Sequence, residues 1–385
     1  MSKTKVAIAK CGSYVPAEVC AAVDALLARL GGIEKFVKPG MRVFVKPNLL
    51  LAASPNKACT THPEVLIAVI KRLQAAGAEV SFGDLPGGFH AGSTRNVHRT
   101  CEMTQVAEAT GAELVTIEKH GFKEIVIPGA KKMKRIHAPL RLDEADMIVN
   151  VCKIKTHMQT MMTGAVKNMF GMTTTQDRIV AHRFSGYREF SEALVDIYSG
   201  LPKPSLNIAD AVIGMEGTGP SQGKPVKLGY LLGSEDAVAL DTVAAAAIGF
   251  RPEEIAMIES ARRRGIGTAR MHDIEIAGDS LDSVKKRVRR PSSAVFMMMP
   301  VLTNPFNELT KVQPYIAAKE CKACKKCAEV CPGNAISFPK HAGVIDERRC
   351  ILCYCCHEIC PYSAVELKKP ILVKLAERFI SHESR

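Results

Sequence analysis

Cys321-Lys-Ala-Cys324-Lys-Lys-Cys327-Ala-Glu-Val-Cys331-Pro332 returns, 29 residues on, as Cys350-Ile-Leu-Cys353-Tyr-Cys-Cys356-His-Glu-Ile-Cys360-Pro361. Both stretches read C-x2-C-x2-C-x3-C-P, and the match runs past the cysteines, Ala335-Ile336 answering to Ala364-Val365. Three thiolates at this spacing converge from one tight loop on neighbouring irons, and the fourth belongs to the other loop's cluster. The repeat therefore predicts two [4Fe–4S] clusters in a small α+β domain. Cys321, Cys324, Cys327 and Cys360 hold one, and Cys350, Cys353, Cys356 and Cys331 hold the other. Cys355 lies beside Cys356, but spacing and repeat both favour Cys356 as the ligand.

Structural zinc takes two pairs of ligands rather than two sets of four at this spacing. Disulfides would suit a small secreted domain, whereas this chain has 385 residues and starts with no apolar leader. No apolar run is long enough to span a bilayer. Reduced thiols and oxygen-sensitive clusters then lead us to expect a cytoplasmic protein of an anaerobic cell. Basic residues outnumber acidic ones by 52 to 39, for a net charge of +13. They are spread along the chain with no nucleic-acid-binding module, so nucleic acid is not an expected partner. The densest stretch, Lys285 to Arg290, reads as a solvated face; if it docks anything, an acidic redox partner is expected.

Residues 1–290 alternate apolar β-rich runs with helical patterns, which predicts an α/β domain with a mostly parallel sheet flanked by helices. Strands are expected at Lys5–Lys10, Arg42–Lys46, Glu79–Gly83, Met147–Val151, Leu206–Ala209 and Leu228–Leu232. Helices are expected from Pro16 to Leu30, His62 to about Ala76, and Asp236 to Ile248. An apolar, proline-containing linker (291–312) joins this domain to the cluster domain (313–367). An amphipathic helix (368–385) follows, its apolar stripe expected to pack on the protein.

Ligands of open α/β sheets gather at the carboxyl ends of strands. Those ends deliver Lys46-Pro47-Asn48, Asp84, Cys152-Lys153-Ile-Lys155-Thr156-His157, and Asp210 with a glycine-rich stretch from Gly214 to Pro220. Lys46, Lys153 and Lys155, with Lys167 and Asn168 close behind, point to an anionic ligand. Asp84, His157 and Asp210 are candidates for proton handling or, with Glu216, for an additional metal. Asp84 and Asp210 read equally well as turn or cap residues. The glycines match neither the P-loop nor the dinucleotide fingerprint, so neither a Walker-type ATPase nor an NAD-binding domain is expected. The methionines between Met158 and Met169 are expected to fill core.

Val43-Phe-Val-Lys46-Pro47-Asn48-Leu49, Thr61-His62-Pro63, Phe82-Gly83-Asp84 and Asn150-Val-Cys-Lys153-Ile-Lys155-Thr156-His157 resemble one family. So do Gly164-Ala-Val-Lys167-Asn168-Met-Phe-Gly171, Ala209-Asp210, Gly214-Met-Glu216-Gly217 and Ala239-Leu-Asp241. It is the family called domain of unknown function 362, often fused to a bacterial-type two-cluster ferredoxin module, which residues of about 315–367 resemble. The resemblance implies an iron–sulfur redox protein and names no substrate. Three functions fit: an oxidoreductase whose clusters serve a small anionic substrate, an electron-transfer subunit that docks a partner enzyme, and a maturation factor. The size of the α/β domain favours the first, because a bare carrier needs only the small module.

Overall fold

The computed structural model describes residues 3–87, 91–291, 311–371 and 374. The first body is a nine-stranded sheet in the order β11-β1-β10-β9-β7-β2-β3-β4, with β8 paired to β7. Its strands are β1 (Thr4–Lys10), β2 (Arg42–Lys46), β3 (Glu79–Phe82), β4 (Glu113–Leu114), β7 (Met147–His157), β8 (Met161–Thr163), β9 (Leu206–Glu216), β10 (Lys224–Ser234) and β11 (Ile274–Gly278). A hairpin of β5 (Phe122–Val126) and β6 (Arg135–Pro139) stands apart from it. Pairing is parallel from β4 through β3, β2 and β7 to β9, and between β1 and β11. It is antiparallel where β10 joins β9 and β1 and where β8 joins β7. The expected α/β class with a mostly parallel, helix-flanked sheet is what forms.

Side chains of a strand alternate between faces, and both faces here are covered. Ala7, Val43, Val45, Val149 and Val151 enter one core with the helices Pro16–Leu30 and Pro63–Ala75. Val6, Ile8, Phe44, Ile148 and Ile154 enter the other with Tyr187–Gly200 and Ala237–Ala247. Burial on both faces is why these strands read as near-continuous apolar runs. Proline opens both helices of the first layer, where its missing N–H leaves nothing unsatisfied.

Three strands run further than their sequence suggests, β10 spanning Lys224–Ser234 where Leu228–Leu232 is expected. β7 continues through Cys152–His157, and β9 through Asp210–Glu216, stretches expected to lie beyond the strand ends. Backbone pairing overrides the polar side chains there: Lys155 to His157 pair with β8, and Lys153 pairs with Asp210 across β9. Every residue of β7 is buried, lysines included.

The second body contains two short antiparallel ladders, β12 (Gln313–Ile316) with β15 (Val365–Lys368) and β13 (Ile336–Ser337) with β14 (Val344–Ile345). Its short helices, Lys326–Glu329 and Cys355–Ile359, are themselves offset by 29 residues. Most of the expected linker, and most of the expected C-terminal helix, lie outside the described residues. No described helix is long and apolar enough to cross a membrane.

Candidate functional site between the sheet edge and the second cysteine loop

The small body packs on the sheet edge through its second cysteine loop. Met158, just past β7, shares an apolar cluster with Val312 and Tyr354. Ser221 donates to the Glu358 carbonyl (2.8 Å) and Gln222 to the His357 carbonyl (2.6 Å). A cavity of about 130 Å³ opens at this junction. Lys46, Asn48, Asp84, Lys155, His157, Lys167, Arg178 and His182 line it from one side, and Val330, Cys355, Glu358 and Ile359 from the other.

The expected single cluster of strand-end groups divides in two. Lys46 Nζ lies 2.9 Å from Asp84 Oδ1, with both side chains buried. Asp84 also accepts from the Leu49 and Leu85 amides (2.7 and 2.9 Å), so it ties the ends of β2 and β3 together. Gly171 makes that approach feasible, because a Cβ there would sit 2.6 Å from Asp84 Oδ1. Lys153 and Asp210 form a second buried pair at 2.8 Å, completed by the Tyr14 hydroxyl and the His62 amide. Neither Lys153 nor Asp210 lines the cavity. The additional metal expected from His157, Asp84, Asp210 and Glu216 has no gathered donor set: the first faces Glu358, the next two face lysines, and Glu216 pairs with Arg289. No group of three or more His, Cys, Asp or Glu among the described residues is assembled to hold a single metal ion.

Three cations at the cavity have no such neutralising partner. Lys155 donates to Asn48 Oδ1 (2.8 Å) and to the Cys59 carbonyl. Arg178 donates to the Leu85 and Pro86 carbonyls (3.0 and 3.3 Å). Lys167 lies over the rings of Phe170 and Phe190. Among the described residues no carboxylate reaches any of the three within ion-pair distance. Burial pulls Lys155 down to about 8 and lowers Lys167 and Arg178 as well. Glu358, across the cavity, is the carboxylate whose field reaches Lys155 and Lys167, and Asp84 plays that part for Arg178.

Polar atoms without partners concentrate here too. His157 Nε2, Thr163 Oγ1, Arg178 Nε and Glu358 Oε1 are all buried, make no hydrogen bond, and belong to residues lining this cavity. Buried polar groups are normally satisfied, and unsatisfied ones mark a missing ligand or water. His157 Nδ1 accepts from the Gln159 amide (3.0 Å), which assigns the proton to Nε2 and makes that atom a donor. Its distance to Glu358 Oε1 is 3.4 Å, without hydrogen-bond geometry. Burial keeps His157 neutral and pulls its neighbour His182 down to about 3. Arg178, His182, Cys355 and Glu358 were not among the expected site residues, since no strand end marks them and Cys355 and Glu358 fill non-ligand positions of the second cysteine motif. Asn168 bridges Lys46 (3.1 Å) and Asn48 (2.8 Å) and orders the cavity floor.

The cysteines gather in two further cavities. One is lined by Cys321, Cys324, Cys327 and Cys360, the other by Cys331, Cys350, Cys353 and Cys356. Each set is four thiols, the donor type that iron–sulfur cubanes take, and each draws its fourth member from the opposite loop. The residues present thus fit the groups that the spacing implies. Cys355 hydrogen-bonds with the Cys353 thiol but lines the junction cavity rather than that of the second set.

The comparisons with known proteins divide the chain at the same place. The family described as Domain of unknown function (DUF362) matches residues 43–246, and the 4Fe-4S dicluster domain matches 320–364. "Thylakoid-associated protein sll1697" of Synechocystis is 32% identical over 263 residues, 68% of this chain and 79% of that one. Among solved structures, the lactate racemase apoprotein from Thermoanaerobacterium thermosaccharolyticum aligns with a TM-score of 0.36 at 11% identity, over 62% of this chain and 55% of that one. This chain thus spans little more than half of that protein's length, and so remote a likeness carries no argument.

Proposed function

We propose that this chain, which belongs to the family described as Domain of unknown function (DUF362), is a redox protein whose iron–sulfur module exchanges electrons with a small anion bound at the sheet edge. The observation that carries this reading is the cavity shared by the two bodies. Its three cations without a carboxylate at ion-pair distance come from the sheet body, and its opposite wall is the helix that begins beside Cys356.

Cys321, Cys324, Cys327 and Cys360 would hold one [4Fe–4S] cluster, and Cys350, Cys353, Cys356 and Cys331 the other. Such clusters supply electrons one at a time. The chain's own residues do the rest. Lys155, Lys167 and Arg178 attract and hold the anion. His157 Nε2 and Thr163 Oγ1 offer it hydrogen bonds, and Glu358 meets its far side. Lys46 with Asp84, and Lys153 with Asp210, hold the strand ends in place rather than touching the ligand. The apolar walls at Leu49, Phe170 and Ile359 keep water from screening these charges. Thiols that must stay reduced suit a cytoplasmic, oxygen-poor setting.

The test is anaerobic. Purified protein should carry about eight irons and bind a small oxyanion such as acetate or phosphate by calorimetry. Lys167→Met should keep its iron and weaken that binding about 10–100-fold, the loss of one charge-assisted contact. A wild-type protein that binds no small anion, with a Lys167→Met variant that still reduces every partner tested, would replace this reading with that of a docking subunit.

A further inference from the structure

The second cysteine loop is the more enclosed by the sheet body, whereas the first reaches the junction cavity only through Val330. Cys324 is exposed, whereas Cys353, Cys355 and Cys356 are buried. Around Cys324 the sequence from 319 to 326 carries four lysines, Lys319, Lys322, Lys325 and Lys326, against one carboxylate, Glu320. Lys319, Lys322 and Lys325 are exposed and Lys326 is half-buried. Lys322, Lys325 and Lys326 line the same cavity as Cys321, Cys324, Cys327 and Cys360. Tyr362 lines it too and is 48% exposed. An apolar ring with a polar tip, inside a collar of one charge sign, is the composition of a docking surface rather than of an ordinary solvated face.

We propose that this lysine collar is the docking surface for an acidic protein that carries single electrons, and that the second loop serves the cavity instead. The proposal rests on the module holding its clusters. Charge complementarity selects the partner: four lysines within eight residues attract an acidic face over about a Debye length, roughly 10 Å at 0.1 M salt. Steering of this kind raises encounter rates by about 10–1,000-fold. The second loop keeps lysine or arginine only ahead of its first cysteine, at Arg348 and Arg349, and the positions equivalent to Lys322, Lys325 and Lys326 are Ile351, Tyr354 and Cys355.

An acidic plant-type [2Fe–2S] ferredoxin serves as the probe, titrated calorimetrically into the full-length, iron-loaded protein. Lys322→Glu/Lys325→Glu/Lys326→Glu should weaken binding at low ionic strength by at least about tenfold, and the difference should vanish in high salt as screening sets in. Lys285→Glu/Lys286→Glu, which reverses the other basic stretch, should change binding by less than about twofold, within the range of surface charges away from a contact. Equal losses in both variants would mean general attraction to a basic protein and overturn the site. Undiminished binding in the first variant would overturn it as well. If charge reversal disturbs iron content, Lys322→Gln/Lys325→Gln makes the same comparison. A wild-type protein with full iron that ignores the carrier sinks the docking surface alone; one that cannot be loaded with iron sinks the functional reading.

Discussion

The two cysteine loops share a spacing and part company in what surrounds them. Where the first has Lys325, the second has Tyr354, whose hydroxyl donates to the Val312 carbonyl (3.0 Å) beneath the sheet body. Where the first has Lys326, half-buried at the surface, the second has Cys355, buried against the large cavity. Glu329 and Glu358 occupy equivalent positions, but Glu329 is exposed while burial drives Glu358 up to about 7. The cysteines set where irons would sit. On the proposed reading, the residues between them decide whether each site faces a partner protein or a ligand.

The strongest way to break that comparison is to remove the thiols that cross between loops. Cys331→Ser should cost the cluster of the second loop, and Cys360→Ser that of the first, each lowering iron from about eight to about four. EPR of the reduced protein would show which signal is lost. If Cys331→Ser removes the signal of its own loop, the crossed pairing fails. Cys355→Ala should leave iron content unchanged, which separates it from Cys356.

A smaller effect should come from Lys155 and should be confined to the second loop's side. Its ordinary value near 10.5 is pulled to about 8 by burial, so it is charged below that pH and loses its charge above it. Anion affinity should therefore begin to fall as the facing Glu358 ionises near pH 7, and should fall further, by up to about tenfold, between pH 8 and 9 as Lys155 loses its proton. Calorimetry in buffers of different ionisation heat should show proton uptake on binding near pH 8.5. Binding of the acidic carrier at the first loop should show no such step.

The smallest expected effect tests the clamp on the second loop. Gln222→Ala removes the bond to the His357 carbonyl and should cost about 1 kcal/mol of local stability. Hydrogen exchange at Cys355–Ile359 should quicken about fivefold, with Lys326–Glu329 unchanged. Equal change in both helices would mean that the module opens as one unit.

Much of the sheet was legible because strands buried on both faces leave continuous apolar runs. Val43-Phe-Val45 and Met147-Ile-Val149 announce themselves that way, and so does the proline at the start of each first-layer helix. The far halves of β7 and β9 were not legible. Lys153, Lys155 and Asp210 look like loop residues until partners on other elements neutralise or bond them, and pattern reading has no access to those partners. Arg178 and His182 were invisible for a related reason: their helix (Thr175–Arg183) is mostly polar and marks no edge of the sheet.

The sequence alone determined the two thiol sets and the α/β class, because both are written in local spacing: a step of three positions from ligand to ligand within each loop, and a period of two along a strand. Only the tertiary structure decided which lysines are spoken for. Lys46 and Lys153 meet carboxylates 38 and 57 positions away and are neutralised, while Lys155, Lys167 and Arg178 meet none and face the cavity. Charge compensation acts through space over a few ångströms, and no spacing along the chain encodes it.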